Sequence, residues 1–85
     1  MENFFYKNLK YLRLSNKMTQ ADLAKRLKKD YTTIGKWEKR ERTPKLEEVI
    51  RIAEVFNVPL NDIITTDLTN PKKEKWHEKK KMPYV

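Results

Sequence analysis

Apolar residues along this chain recur at spacings of three and four rather than two, which is the period of an amphipathic helix. The pattern predicts five helices. The first covers about Phe4 to Leu14, with Phe5, Leu9 and Leu12 on one face and Asn16 and Lys17 in the turn that follows. The second has a legible start. Thr19 is a good N-cap, Asp22 three residues on suits a capping box, and Met18 and Leu23 occupy the positions of a hydrophobic staple, so the helix begins near Gln20. Leu23, Ala24 and Leu27 form its inner face, and Lys28, Lys29 and Asp30 make a short polar break.

Asp30 is the expected cap of a third helix. On it Ile34, Trp37 and Glu38 share one side, and Thr32, Gly35, Lys36 and Lys39 share the other. A loop from Arg40 to Thr43 leads to Pro44, expected at the first position of a fourth helix whose inner face reads Leu46, Val49, Ile50, Ala53 and Phe56, with Asn57 as terminator. Pro59 opens a fifth, short helix with Leu60, Ile63 and Ile64 inward, and regular structure is expected to stop between Thr66 and Pro71. Residues 1–68 are thus expected to form one all-α domain. Residues 69–85 form a basic tail in which Trp76, Met82 and Tyr84 lie on no continuous apolar stripe. Its composition suits disorder, with a helix over Lys72 to Lys81 as the alternative.

Eighty-five residues allow one small core. No apolar run approaches the roughly 20 residues that a membrane span needs, and nothing resembles a signal peptide, so a soluble, cytoplasmic protein is expected. There is no cysteine and no glycine-rich phosphate loop, and the single histidine, His77, stands in the lysine-rich tail. These absences argue against an enzyme, a metal site or a cofactor.

Charge changes the picture once it is mapped along the chain. The net +8 divides into +2 for residues 1–24, +6 for 25–45, −3 for 46–66 and +3 for 67–85. A solvated basic face would account for the excess. So would a phosphate-binding footprint centred on the second and third helices, which gains affinity by counterion release.

Two short helices joined by a turn of three residues, the second apolar inside and polar outside, are what a helix-turn-helix requires, and Ala24 suits the close crossing. The run Thr19-Gln20-Ala21-Asp22-Leu23-Ala24-Lys25-Arg26-Leu27, then Thr33-Ile34-Gly35-Lys36-Trp37-Glu38, Thr43-Pro44 and Leu46-Glu47, resembles the Cro and phage-repressor type of helix-turn-helix, the xenobiotic-response-element family, over roughly Leu9 to Ile64. The resemblance implies a five-helix, lambda-repressor-like DNA-binding domain. This chain departs from the family in carrying Lys28 and Arg40 where glycine is usual, and Lys28 is expected to adopt a left-handed backbone.

Carried over by position, the resemblance puts base contacts on Tyr31, Thr32 and Lys36. The chemistry of these side chains suits the role, since lysine donates to guanine O6 and N7 and threonine meets either kind of base edge. Gly35, on the same side, costs about 1 kcal/mol in a helix relative to alanine. Close approach of the backbone to DNA would explain it, and so would a merely tolerated glycine. Gln20 matches the family's phosphate-binding glutamine at a helix N-terminus, with Thr19 and Thr33 assisting and Lys28, Lys39, Arg40 and Arg42 holding the flanking backbone. Arg13 and Glu38 match a pair that links the first helix to the third, and Trp37 reads as core.

The resemblance therefore implies a sequence-specific transcriptional regulator, a repressor, of a kind found in bacteria, phages and mobile elements. Its partner is double-stranded DNA bearing an inverted repeat, bound by a weak homodimer that is stabilised on DNA. Ile63, Ile64, Leu68 or the tail are the apolar candidates for the dimer surface. The alternative is an adaptor or toxin-antitoxin-like subunit of the same fold that meets a protein partner through the tail. A third role for the tail is a nonspecific nucleic-acid arm.

Overall fold

A computed structural model of the chain describes residues 3–69, which form five α-helices and no strand: α1 Phe5–Ser15, α2 Gln20–Leu27, α3 Tyr31–Glu38, α4 Leu46–Phe56 and α5 Leu60–Thr65. The expectations for residues 70–85, among them Trp76, His77, Met82 and Tyr84, lie outside the described residues.

The start of α2 is fixed as its sequence dictates. Asp22 N–H donates to Thr19 Oγ1 at 3.0 Å and Thr19 N–H donates to Asp22 Oδ2 at 2.9 Å, a closed capping box that satisfies two otherwise orphaned donors. Other helix starts follow expectation at Asp30 but differ by a residue or two for α1, α4 and α5. Phe4 is the N-cap of α1 and not its first residue, and its N–H donates to Ile64 O at 2.8 Å. Asp30 sits at the N-cap of α3 with extended backbone, but its side chain makes no capping bond. Pro44 lies two residues ahead of α4. Lys45 is the N-cap there, its N–H received by Glu48 Oε1 at 2.7 Å, and that bond, not the proline ring, sets where the helix begins. Pro59 likewise caps α5 without belonging to it.

The core is built by Leu9, Leu23, Ile34, Trp37, Ile52, Ile63 and Leu68, all essentially without solvent contact, with Phe5, Leu12, Ala24, Leu27, Val49, Ala53, Phe56 and Val58 around them. On α4 the inner stripe is Val49, Ile52, Ala53 and Phe56, one period of a helix face. Leu46 and Ile50, expected to face inward, point away from that stripe and are 64% and 37% exposed. Ile63 and Leu68 are consumed by the core, which removes them from the candidate dimer surface; of the candidates among the described residues half-buried Ile64 remains, and the tail lies outside them. Among the described residues no helix is long and apolar enough to cross a membrane.

Helices α1 to α4 end alike. Lys17, Lys28, Arg40 and Asn57 each take a left-handed backbone, with φ of 57°, 57°, 64° and 56°. After each, the next residue's N–H reaches back five residues: Met18 to Arg13 O, Lys29 to Ala24 O, Glu41 to Lys36 O and Val58 to Ala53 O, at 2.8–3.0 Å. This is the Schellman closure, which satisfies carbonyls at the helix end and is usually built on glycine. Lys28 adopts the conformation expected of it, and Arg40 stands in the other position where the family carries glycine.

Candidate nucleic-acid interface

Helices α2 and α3 are joined by Lys28, Lys29 and Asp30, and α3 lies with Ile34 and Trp37 buried beneath it. That anchoring leaves its outer face clear. Tyr31 is 61% exposed, Thr32 and Lys36 are exposed beside it, and Lys39 continues the same face at the C-cap.

Behind α3 lies a polar network that fixes its angle to the first two helices. Arg13 Nε donates to Glu38 Oε2 at 2.7 Å and Arg13 Nη2 to Glu38 Oε1 at 3.2 Å, while Nη1 donates to Met18 O at 2.9 Å. The two side chains are 8% and 5% exposed. Such a fork is geometrically specific, and the third guanidinium nitrogen, Nη1, donates to the turn after α1, so α1, the α1–α2 turn and α3 are tied at one point. Gln20, at the first position of α2, donates from Nε2 to the same Glu38 Oε1 at 3.1 Å. A carboxylate only accepts, which fixes the orientation of the amide.

Gly35 lies under that amide. A Cβ there would stand 3.3 Å from Gln20 Oε1 and 3.4 Å from Nε2. The glycine therefore faces the side chain of α2, a neighbour for which the sequence carries no signal.

The remaining cations fall into different settings. Lys28 and Arg42 are exposed at either end of the motif. Arg40 places its guanidinium 5.2 Å from the centre of the Tyr6 ring, a cation–π arrangement that draws it toward α1. Thr19 is exposed, and its hydroxyl oxygen already accepts from Asp22. Thr33 is half-buried and lines a cleft of about 280 Å³ with Trp37, Lys29, Arg42, Thr43, Lys45 and Glu48. Lys29, Thr43 and Lys45 were not named as contact residues from the sequence, although all lie in the +6 segment. Lys29 pairs with Glu48 across this cleft, and that hydrogen bond, with the one from Lys45 N–H, holds the Glu48 carboxyl below its ordinary range. The Thr19 bonds hold Asp22 low in the same way. Among the described residues no three His, Asp or Glu side chains gather as a metal site would require.

The helix pair, its three-residue turn and the bundle around it define a helix-turn-helix of the all-α, five-helix, lambda-repressor-like fold. The family model described as helix-turn-helix matches residues 9–63, and the chain belongs to that family, in its Cro and phage-repressor type. No curated protein matches the chain. Among solved structures it is similar to the P22 c2 repressor in complex with a synthetic operator, at 20% identity over 75% of this chain and 97% of that one with a TM-score of 0.69, a likeness of fold. It is similar to the SOS-response transcriptional repressor LexA from Eubacterium rectale at 27% identity, covering 79% and 71% of the two chains, with a TM-score of 0.70. It also resembles part of hydroxypropylphosphonic acid epoxidase from S. wedmorenis, at 31% identity and a TM-score of 0.65, covering 71% of this chain but 32% of that one. The chain thus spans about a third of the length of that enzyme.

Proposed function

We propose that the protein is a sequence-specific, double-stranded-DNA-binding transcriptional regulator, a repressor, which lays α3 in the major groove. The observation that carries this reading is the outer face of α3, where Tyr31, Thr32 and Lys36 stand exposed on a helix whose inner face is locked by Ile34 and Trp37. Tyr31, Thr32 and Lys36 read base edges. Thr19, Gln20, Lys28, Thr33, Lys39 and Arg42 hold phosphates on either side, and the +6 charge of residues 25–45 supplies the salt-dependent part of the affinity. Arg40 belongs to the same set once a phosphate competes with the Tyr6 ring for its guanidinium. The protein works in the cytoplasm, binding an inverted repeat as a homodimer that forms stably on DNA.

The test is selection from random duplexes by the purified chain beside the double variant Thr32→Ala, Lys36→Ala, at two salt concentrations. Enrichment of an inverted repeat that the double variant fails to enrich is the expected result. Salt-sensitive binding without sequence preference, equal in both proteins, overturns it.

A second reading has one observation in its favour. The 31% identity to a segment of an epoxidase exceeds the identity to either repressor, so the same bundle serves as one part of an enzyme chain. On that reading the domain is an adaptor for another protein, and the selection yields no motif.

A further inference from the structure

Gly35 is the only glycine of the chain, and it occupies the middle of α3, where glycine is unfavourable and where none of the four left-handed positions lies. Its φ is not positive, so backbone freedom does not explain it. What surrounds it does. The Gln20 amide crosses α3 over Gly35 to reach Glu38 Oε1 at 3.1 Å, and the nearest atoms to a side chain at this position would be Oε1, Nε2 and Cδ of Gln20 at 3.3, 3.4 and 3.6 Å. A methyl group there fits only if the amide moves by a few tenths of an ångström, and the amide is held at its far end by a carboxylate that Arg13 also grips.

We infer that Gly35 is a positioning residue for Gln20: its missing Cβ lets the amide lie flat across α3, with one Nε2 proton on Glu38 and the second presented to a DNA phosphate at the start of α2. The phosphate role of Gln20 rests on the DNA-binding reading above, whereas the seating of the amide by Gly35 does not. On this account Gly35 acts on DNA through Gln20 and not by letting the backbone approach a base. Glu38 is the link through which the α1 anchor, Arg13, sets the direction of that donor. Because the amide is neutral, its contact displaces no counterion, so losing it lowers affinity without changing the salt slope.

A double-mutant cycle over wild type, Gly35→Ala, Gln20→Ala and the pair tests this with two readouts. In urea unfolding of the free proteins, alanine for glycine inside a helix is expected to raise the folding constant about five-fold once the Gln20 side chain is gone, and by clearly less while it is present. With the duplex enriched by wild type, Gly35→Ala is expected to weaken binding about ten-fold, with log K against log salt running parallel to wild type, and to have no effect in the Gln20→Ala background. Equal loss of affinity in both backgrounds places Gly35 against the DNA itself and overturns the inference, as does an equal gain in folding in both. If no variant binds any duplex specifically, the DNA reading and the phosphate role fall together. The folding cycle then still decides whether Gly35 seats the amide.

Discussion

Asn8 and Leu68 are both fully buried, and Asn8 Oδ1 accepts the Leu68 N–H at 3.0 Å. The same side chain donates from Nδ2 to Ile63 O at 2.9 Å and Thr66 O at 2.7 Å, so one amide in α1 closes the end of α5 and the turn that follows. No apolar residue can replace it. Asn8→Leu leaves the buried Ile63 carbonyl and Leu68 N–H, and the partly buried Thr66 carbonyl, without these partners, at about 1–3 kcal/mol for each buried group. A loss of roughly 3 kcal/mol or more in urea unfolding is expected, with residues 63–68 becoming the first to exchange amide protons. A loss under about 1 kcal/mol would show that water reaches these groups and that the closure is not a structural one.

The Arg13–Glu38 pair is almost without solvent, so removing one partner strands the other charge. Arg13→Met or Glu38→Leu alone is expected to cost about 3–5 kcal/mol, whereas the double replacement by both apolar residues costs less than either single change. Denaturant unfolding of the four proteins gives the sign directly. If the double variant is instead the least stable, Gln20 and Met18 O, which share the network, carry more of its stability than the ion pair does.

The left-handed helix ends offer the opposite experiment, a gain. An L-residue in that conformation costs roughly 1–2 kcal/mol that glycine does not incur, and Lys17 and Lys28 use only their backbones in the closures they make. Lys17→Gly and Lys28→Gly are each expected to stabilise by about 1 kcal/mol, raising Tm by about 4–8 °C. Asn57→Gly should gain less, because asparagine tolerates this region better. The two closures share no hydrogen-bond partner, so their gains should add. Unchanged Tm in both would mean that the positive charge near each helix end offsets the strain.

What the sequence revealed follows from how local each determinant is. Thr19 and Asp22 fix the start of α2 within four residues, and the core stripe of α2 and α3 follows from helical period, so both were legible. The left-handed Lys28 was legible through its place in a family pattern, while Lys17 carried no such signal. On α4 the inward positions Val49, Ala53 and Phe56 were legible, but Leu46 and Ile50 were read inward in place of Ile52, because they satisfy a helical period beside Val49 as well as Ile52 does. Only the tertiary packing of α4 against the rest of the core, which the period alone does not fix, chooses between them. The same limit hid Asn8, whose partners are 55 to 60 residues away, and the reason for Gly35, whose neighbour Gln20 belongs to another helix.

Glu48 connects stability to pH. Its carboxylate accepts from the Lys29 side chain and from Lys45 N–H, which hold it below the ordinary glutamate value of 4.5. A carboxyl lowered in the folded state binds its proton less readily there than in the unfolded chain, so its stabilising contribution is complete well above 4.5 and is lost as pH falls through the lower, folded value. Asp67, held below the ordinary aspartate value of 3.8 by Thr69 and Lys7, acts with the same sign in a lower window. Tm is therefore expected to be level from neutral pH down to about 5.5 and to fall below it. Glu48→Gln should lower Tm at pH 7, and the gap to wild type should narrow as pH drops below 4.5, where the unfolded chain takes up the proton first, and close below the lower, folded value, where both folded proteins carry a neutral group. A gap that stays constant down to pH 3 would assign the Glu48 contribution to packing at the start of α4 and not to its charge.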